Sequence, residues 1–136
     1  MKILLGVDGS AHSLDAVKCL INHADWYRDK PKVELVTVHR PVPKLPGMGA
    51  AVGKAQIERY YQEEGEQALA EASKLLERAG VPFETRILVG DPAEELAKLA
   101  KKGGADVVYV GTPAKWIGST ANKVMNLSEV PVLLVK

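Results

Sequence analysis

The chain has 136 residues, 46% hydrophobic and 26% charged, the make-up of one domain large enough to bury a real core. Lys and Arg number 18 against 17 Asp and Glu, so no net field steers it toward nucleic acid or an anionic membrane. The single cysteine, Cys19, excludes an internal disulfide, the apolar stretch of MKILLGVDGS is short for a secretory leader, and no window approaches a membrane span; the expectation is a cytoplasmic protein.

Lys2 to Asp8 (KILLGVD) is a continuous apolar run of strand length, the pattern of a strand covered on both faces. Ser10 is placed to cap a helix in which Leu14, Val17, Ile21 and Ala24 recur at helical spacing, ending near Asp25. Val33 to His39 (VELVTVH) predicts the second strand. Pro41, Pro43 and Pro46, with Gly47, Gly49 and Gly53, then predict a loop up to about Lys54. From Gln56 to Ala79, positions such as Ile57, Tyr61, Leu69, Ala72 and Leu76 mark one side of a long amphipathic helix, with Gly80 as its stop. Gly65 inside that helix costs about 1 kcal/mol against Ala.

Phe83 to Val89 (FETRILV) predicts a third strand, followed by a helix with Asp91 as N-cap and Pro92 in its first position. Glu94 and Glu95 sit at the positive end of its dipole, Lys98, Lys101 and Lys102 at the other, and Gly103-Gly104 closes it. Asp106 to Val110 is a fourth strand, Ser119 to about Asn126 a short helix, and Pro131 to Val135 a fifth strand. Such alternation predicts one α/β domain over residues 1–136, a parallel sheet with right-handed crossovers and helices on both faces. Ligands of such sheets gather beyond the carboxyl ends of the strands, where strand order reverses. That places Val7 to Ser10, His39 and Arg40, Gly90 and Asp91, and Gly111 to Thr120 on the edge that matters.

Asp8 there has two readings: a ligand for a cation carried by phosphate, or a strand-to-helix turn in which it bonds nearby amides. Gly118-Ser119-Thr120 opens a helix whose free amides and two hydroxyls make an anion site, or in which Ser119 or Thr120 is an ordinary N-cap. Gly111, with Thr112 beside it, lets a ligand approach the backbone.

KILLGVDGS, VELVTVH, GDPAEELAKLA, ADVVYVGT, GSTANKV and PVLLVK, in that order and over nearly the full length, resemble the universal stress protein family. The resemblance implies a five-stranded parallel sheet in the order 3-2-1-4-5, of the adenine nucleotide alpha-hydrolase-like kind, and a homodimer formed through the Pro131–Val135 strand. It implies ATP with magnesium as ligand in some members and no nucleotide in others. Binding members share Gly, two residues, Gly, nine residues, Gly and then Ser or Thr. Here Gly111 fits the first position and Gly118 with Ser119 the last. Ala114 holds the second, and Lys115, Trp116 and Ile117 stand where nine residues belong.

On that pattern Asp8 matches the family's aspartate and acts through magnesium, Val7 supplies a backbone contact, and adenine lies near Val38 to Arg40. Arg40 stands where a small apolar residue is usual. Gly118, Ser119 and Thr120 hold phosphate oxygens, with Gly111 and Thr112 as floor. The shortened loop either abolishes binding or forms a compact turn with Lys115 and Trp116 at the ligand. Trp116 is expected to pack against a helix or partner, and Lys115 to be solvated.

Other constellations rank lower. Asp91, Thr112 and Lys136 superficially resemble a phospho-accepting receiver site, but Asp8 lacks the second acid that would hold magnesium there. Cys19 and His23 share a helix face without further metal ligands. His12 and His39 are isolated, Tyr60 and Tyr61 read as core and rim, and no carboxylate pair suits acid–base catalysis, so any hydrolysis is expected to be slow.

Overall fold

The computed structural model describes residues 1–42 and 53–136. Most of the Pro- and Gly-rich loop expected between His39 and Lys54 lies outside the described residues. Five strands, β1 (Lys2–Gly6), β2 (Lys32–His39), β3 (Phe83–Val89), β4 (Val107–Gly111) and β5 (Val132–Val135), alternate with four helices among the described residues. These are α1 (Ala11–His23), α2 (Lys54–Ala79), α3 (Pro92–Lys102) and α4 (Ser119–Leu127), and a 3-10 turn (Ala24–Trp26) extends α1. The strands form one parallel sheet in the order β3-β2-β1-β4-β5, as the family resemblance implies.

The apolar run of β1 is unbroken because both of its faces are covered. Ile3, Leu5 and Val7 turn to one side, where Ala16, Val17 and Leu20 of α1 and Leu69, Ala72 and Leu76 of α2 complete a buried cluster. Leu4 turns to the other side, against Ala93, Leu96 and Ala100 of α3 and Ala121 and Val124 of α4. Ile3, Leu4 and Leu5 have almost no exposed surface, and each contributes about 1.5–3 kcal/mol relative to exposure.

Four details differ from the sequence expectation. β1 stops at Gly6, not Asp8: Val7 N still donates to Val36 O (2.8 Å), and then the Asp8 carboxylate draws the chain into a turn. β4 starts and ends one residue later than expected, so Gly111 is inside the strand. α2 begins at Lys54 and runs through Gly65 to Gly80, whose left-handed backbone (φ 68°) closes it. Gly65 is not merely a weak point of α2. It is buried against β3, and a Cβ there would lie 2.6 Å from Cδ1 and Cγ2 of Ile87.

The two sheet edges differ in chemistry. β3 exposes Glu84, Thr85 and Arg86 to solvent, whereas the four residues of β5 are all apolar and half-buried. At the opposite end of the sheet from the predicted ligand edge, the buried Glu34 of β2 pairs with Lys2 (3.4 Å) and Arg86 (2.8 Å). No described helix is long and apolar enough to cross a membrane.

Candidate functional site

Strand order reverses at β1, so the carboxyl ends of β1, β2 and β4 part there and leave a crevice of about 380 Å3. Val7, Asp8, Val38, Gly111, Gly118, Ser119 and Thr120 all line it. Residues far apart in the chain therefore share one concavity, bounded also by the first turns of α1, α3 and α4.

Asp8 forms the strand-to-helix turn that one of its two readings expects. Its Oδ1 accepts a hydrogen bond from Ser10 N (2.9 Å), and its own amide donates to Ser13 Oγ (3.4 Å). Ser10 caps α1 in turn by accepting from Ser13 N (3.3 Å). Asp8 is thus a turn former held in place on the crevice wall. Burial pushes its carboxyl up, but the Ser10 and Ser13 hydrogen bonds and the nearby His12 outweigh this and leave it below the ordinary carboxylate range.

The loop after β4 is braced from within. Thr112 is buried; its Oγ1 accepts from Gly118 N (2.7 Å) and donates to Trp116 O (3.3 Å), while its amide donates to Val135 O (2.8 Å). Thr112 therefore does not floor the crevice, and the Gly118 amide is already engaged. Gly118 itself, not Ser119 or Thr120, is the N-cap of α4, and no side chain caps that helix. Its first amides have no partner within the helix.

Gly111 also has a packing duty that the sequence did not suggest. A Cβ at this position would collide with the carbonyl of His12, so the missing side chain lets α1 approach β4. Trp116, expected to be packed away, is 63% exposed and lines the crevice. Lys115 is exposed and stays outside the lining, as anticipated.

Arg40 does not line the crevice either. Its guanidinium lies 3.3 Å from Asp91, and its carbonyl accepts from His39 Nδ1 (2.6 Å). Asp91 caps α3 by accepting from Glu94 N (3.1 Å) and also holds Lys123 (3.0 Å). The Glu94 amide, followed by Lys123 and Arg40, keeps its carboxyl below the ordinary range. An acid so engaged makes a poor phospho-acceptor, against the receiver reading.

Several side chains were misplaced by sequence reasoning. His12 lines the crevice with Val36, Pro92, Leu96 and Pro113. Pro113, inside the flagged Gly111–Thr120 stretch, and Pro92, next to the flagged Gly90-Asp91, carried a local signal; Val36 and Leu96 have the periodicity of core residues, and they are core as well as wall. His39 is not isolated, and Tyr60 and Tyr61 are not core: the three rings meet edge-on or tilted at centroid distances of 5.4–5.9 Å. Tyr61 OH accepts from Val42 N (2.8 Å). Cys19 Sγ lies 3.5 Å from His23 Nδ1, and that imidazole stacks on Trp26; among the described residues no three His, Cys, Asp or Glu side chains gather as metal ligands.

A model of the "Universal stress protein family" matches residues 1–136. The chain is 35% identical to universal stress protein MJ0531 of Methanocaldococcus jannaschii, over 99% of its own length and 81% of that protein. The solved structure of MJ0577, a universal stress protein of the same organism, superposes with a TM-score of 0.79 at 26% identity, over 99% and 94% of the two chains. A universal stress protein solved in complex with cAMP superposes with a TM-score of 0.71, again at 26% identity, over 99% and 95%. With a family model spanning every residue and the same fold in these neighbours, the chain belongs to the universal stress protein family.

Proposed function

We propose that this universal stress protein is a cytoplasmic stress-response module that binds ATP or a related adenine nucleotide in the crevice between β2, β1 and β4. One observation carries the reading: Asp8 at the end of β1 and the uncapped first turn of α4 line the same concavity. Val36 and Val38 offer an apolar wall for adenine at the β2 side. The amides and hydroxyls of Ser119 and Thr120 offer donors for phosphate at the other. The cAMP complex of a 26% identical relative supports this choice of ligand class.

Magnesium fits only as a passenger of the phosphate, since Asp8 is the single carboxylate in the lining and no three-ligand cluster exists among the described residues. Bound there, the ion would offset phosphate charge, and Asp8 would hold it through carboxylate oxygen. Asp8 and His12, close to each other, are the ionisable side chains among the described lining residues, and no further acid or base joins them in that wall, so turnover is expected to be slow. The apolar β5 edge is the proposed homodimer contact.

A second reading, a dimeric scaffold that holds no nucleotide, draws on the brace from Thr112, which engages one glycine amide of the shortened loop. Calorimetric titration with adenine nucleotides, with and without magnesium, separates the two. Saturable binding that weakens at least tenfold (about 1.4 kcal/mol) in Asp8→Ala supports the nucleotide site. Absence of heat at millimolar ligand leaves the scaffold.

A further inference from the structure

We infer that Trp116 is a specificity-determining residue and that the crevice takes an adenine nucleotide carrying one phosphate in preference to the triphosphate. The inference rests on the nucleotide reading above and narrows it.

Three observations converge. The first is charge. Among the described residues no Lys or Arg lines the crevice, whereas Asp8 does, and its carboxyl is ionised at neutral pH. Arg40 and Lys123, which reach Asp91 next to Pro92 of the wall, are paired with that carboxylate. Each phosphate beyond the first would add negative charge opposite a carboxylate, with no cationic side chain among the described lining residues to meet it.

The second is closure. Sheet order sets β2 and β4 on either side of β1, so a ligand with its base at Val38 and its phosphate at Ser119 points its chain end toward the loop after β4. That loop stands as a wall of Pro113 and Trp116, fixed by the two Thr112 hydrogen bonds (2.7 and 3.3 Å), with the Gly118 amide turned inward. It offers an indole where further phosphates would need donors.

The third is size. A volume of about 380 Å3 lies near the small end of the roughly 300–1,000 Å3 spanned by small-molecule sites. An indole left 63% exposed at the rim of such a crevice also gains from covering a ligand.

The test is calorimetry of the full chain with adenosine, AMP, cAMP, ADP and ATP, each with and without magnesium. AMP or cAMP should bind at least tenfold more tightly than ATP, and adenosine more weakly than AMP. Trp116→Ala, at an exposed position that leaves the core intact, should reduce the AMP-over-ATP ratio to threefold or less. In a Trp26→Phe background Trp116 is the one indole, and its emission should change on titration with AMP. ATP–magnesium binding as tightly as AMP overturns the one-phosphate selectivity while leaving the adenine site standing. Equal affinity for adenosine and AMP removes the phosphate from recognition. An unchanged ratio in Trp116→Ala removes Trp116, and no binding by any of the five overturns the nucleotide reading together with this one.

Discussion

Replacing Gly65 by alanine sets two physical effects of opposite sign against each other. Helix propensity favours the substitution by about 1 kcal/mol in the middle of a helix. Packing opposes it: the new Cβ would lie 2.6 Å from Cδ1 and Cγ2 and 2.8 Å from Cγ1 of Ile87, so the whole side chain must move and not only its tip. A β-branched residue has few alternative rotamers, and overfilling of this kind costs about 1–3 kcal/mol. The net expectation is destabilisation of about 1 kcal/mol. In urea this is a midpoint lowered by about 0.5 M for a slope near 2 kcal/mol/M. In an Ile87→Ala background the obstacle is gone, and Gly65→Ala should then stabilise by about 1 kcal/mol. The reversal of sign is the decisive result. If Gly65→Ala stabilises equally with Ile87 present and absent, α2 is not packed on β3 through this glycine.

Gly111→Ala should be harsher, because the obstacle is the His12 carbonyl and therefore the α1 backbone; a loss of about 3 kcal/mol or more is expected in chemical denaturation. Asp91→Ala removes the α3 cap and releases Lys123 and Arg40 together, and should lower Tm by a few degrees in calorimetric scans. Glu34→Leu should change stability by less than about 1 kcal/mol, since Lys2 and Arg86 are 39% and 52% exposed and can return to water. Asp8 binds its proton less readily folded than unfolded, so its contribution is present above the unfolded value and disappears as pH falls through the folded one. Stability measured from pH 6 to 2 should therefore fall less steeply in Asp8→Asn. Light scattering at micromolar concentration should give twice the chain mass; a monomer excludes the β5 contact.

The architecture could be read from the chain because its determinants are local. Unbroken apolar runs name β1 and β4, the β-branched run VELVTVH names β2, Asp91-Pro92 marks the start of α3, and Gly80 and Gly103 mark helix ends. The crevice was readable in part for the same reason: Asp8 and Ser119 stand at strand and helix ends, which a parallel sheet brings to one side. What could not be read depends on packing between elements. Gly111 and Gly65 are identified by what would strike them, Thr112 by a bond across the loop, and Arg40 by an acid on a different helix. His12 gave no signal at all, because a polar residue in the first turn of a helix is ordinary until the neighbouring strand end is in place.

The unlike borders of the sheet have a consequence for how copies accumulate. A strand rim bearing Glu84 and Arg86 disfavours an added strand, whereas the apolar rim at Val132–Val135 carries no such charge. On the proposed β5 contact each chain has a single adhesive side, so association would terminate at a closed pair, and the unpaired backbone that could template a fibre would be used up in making it.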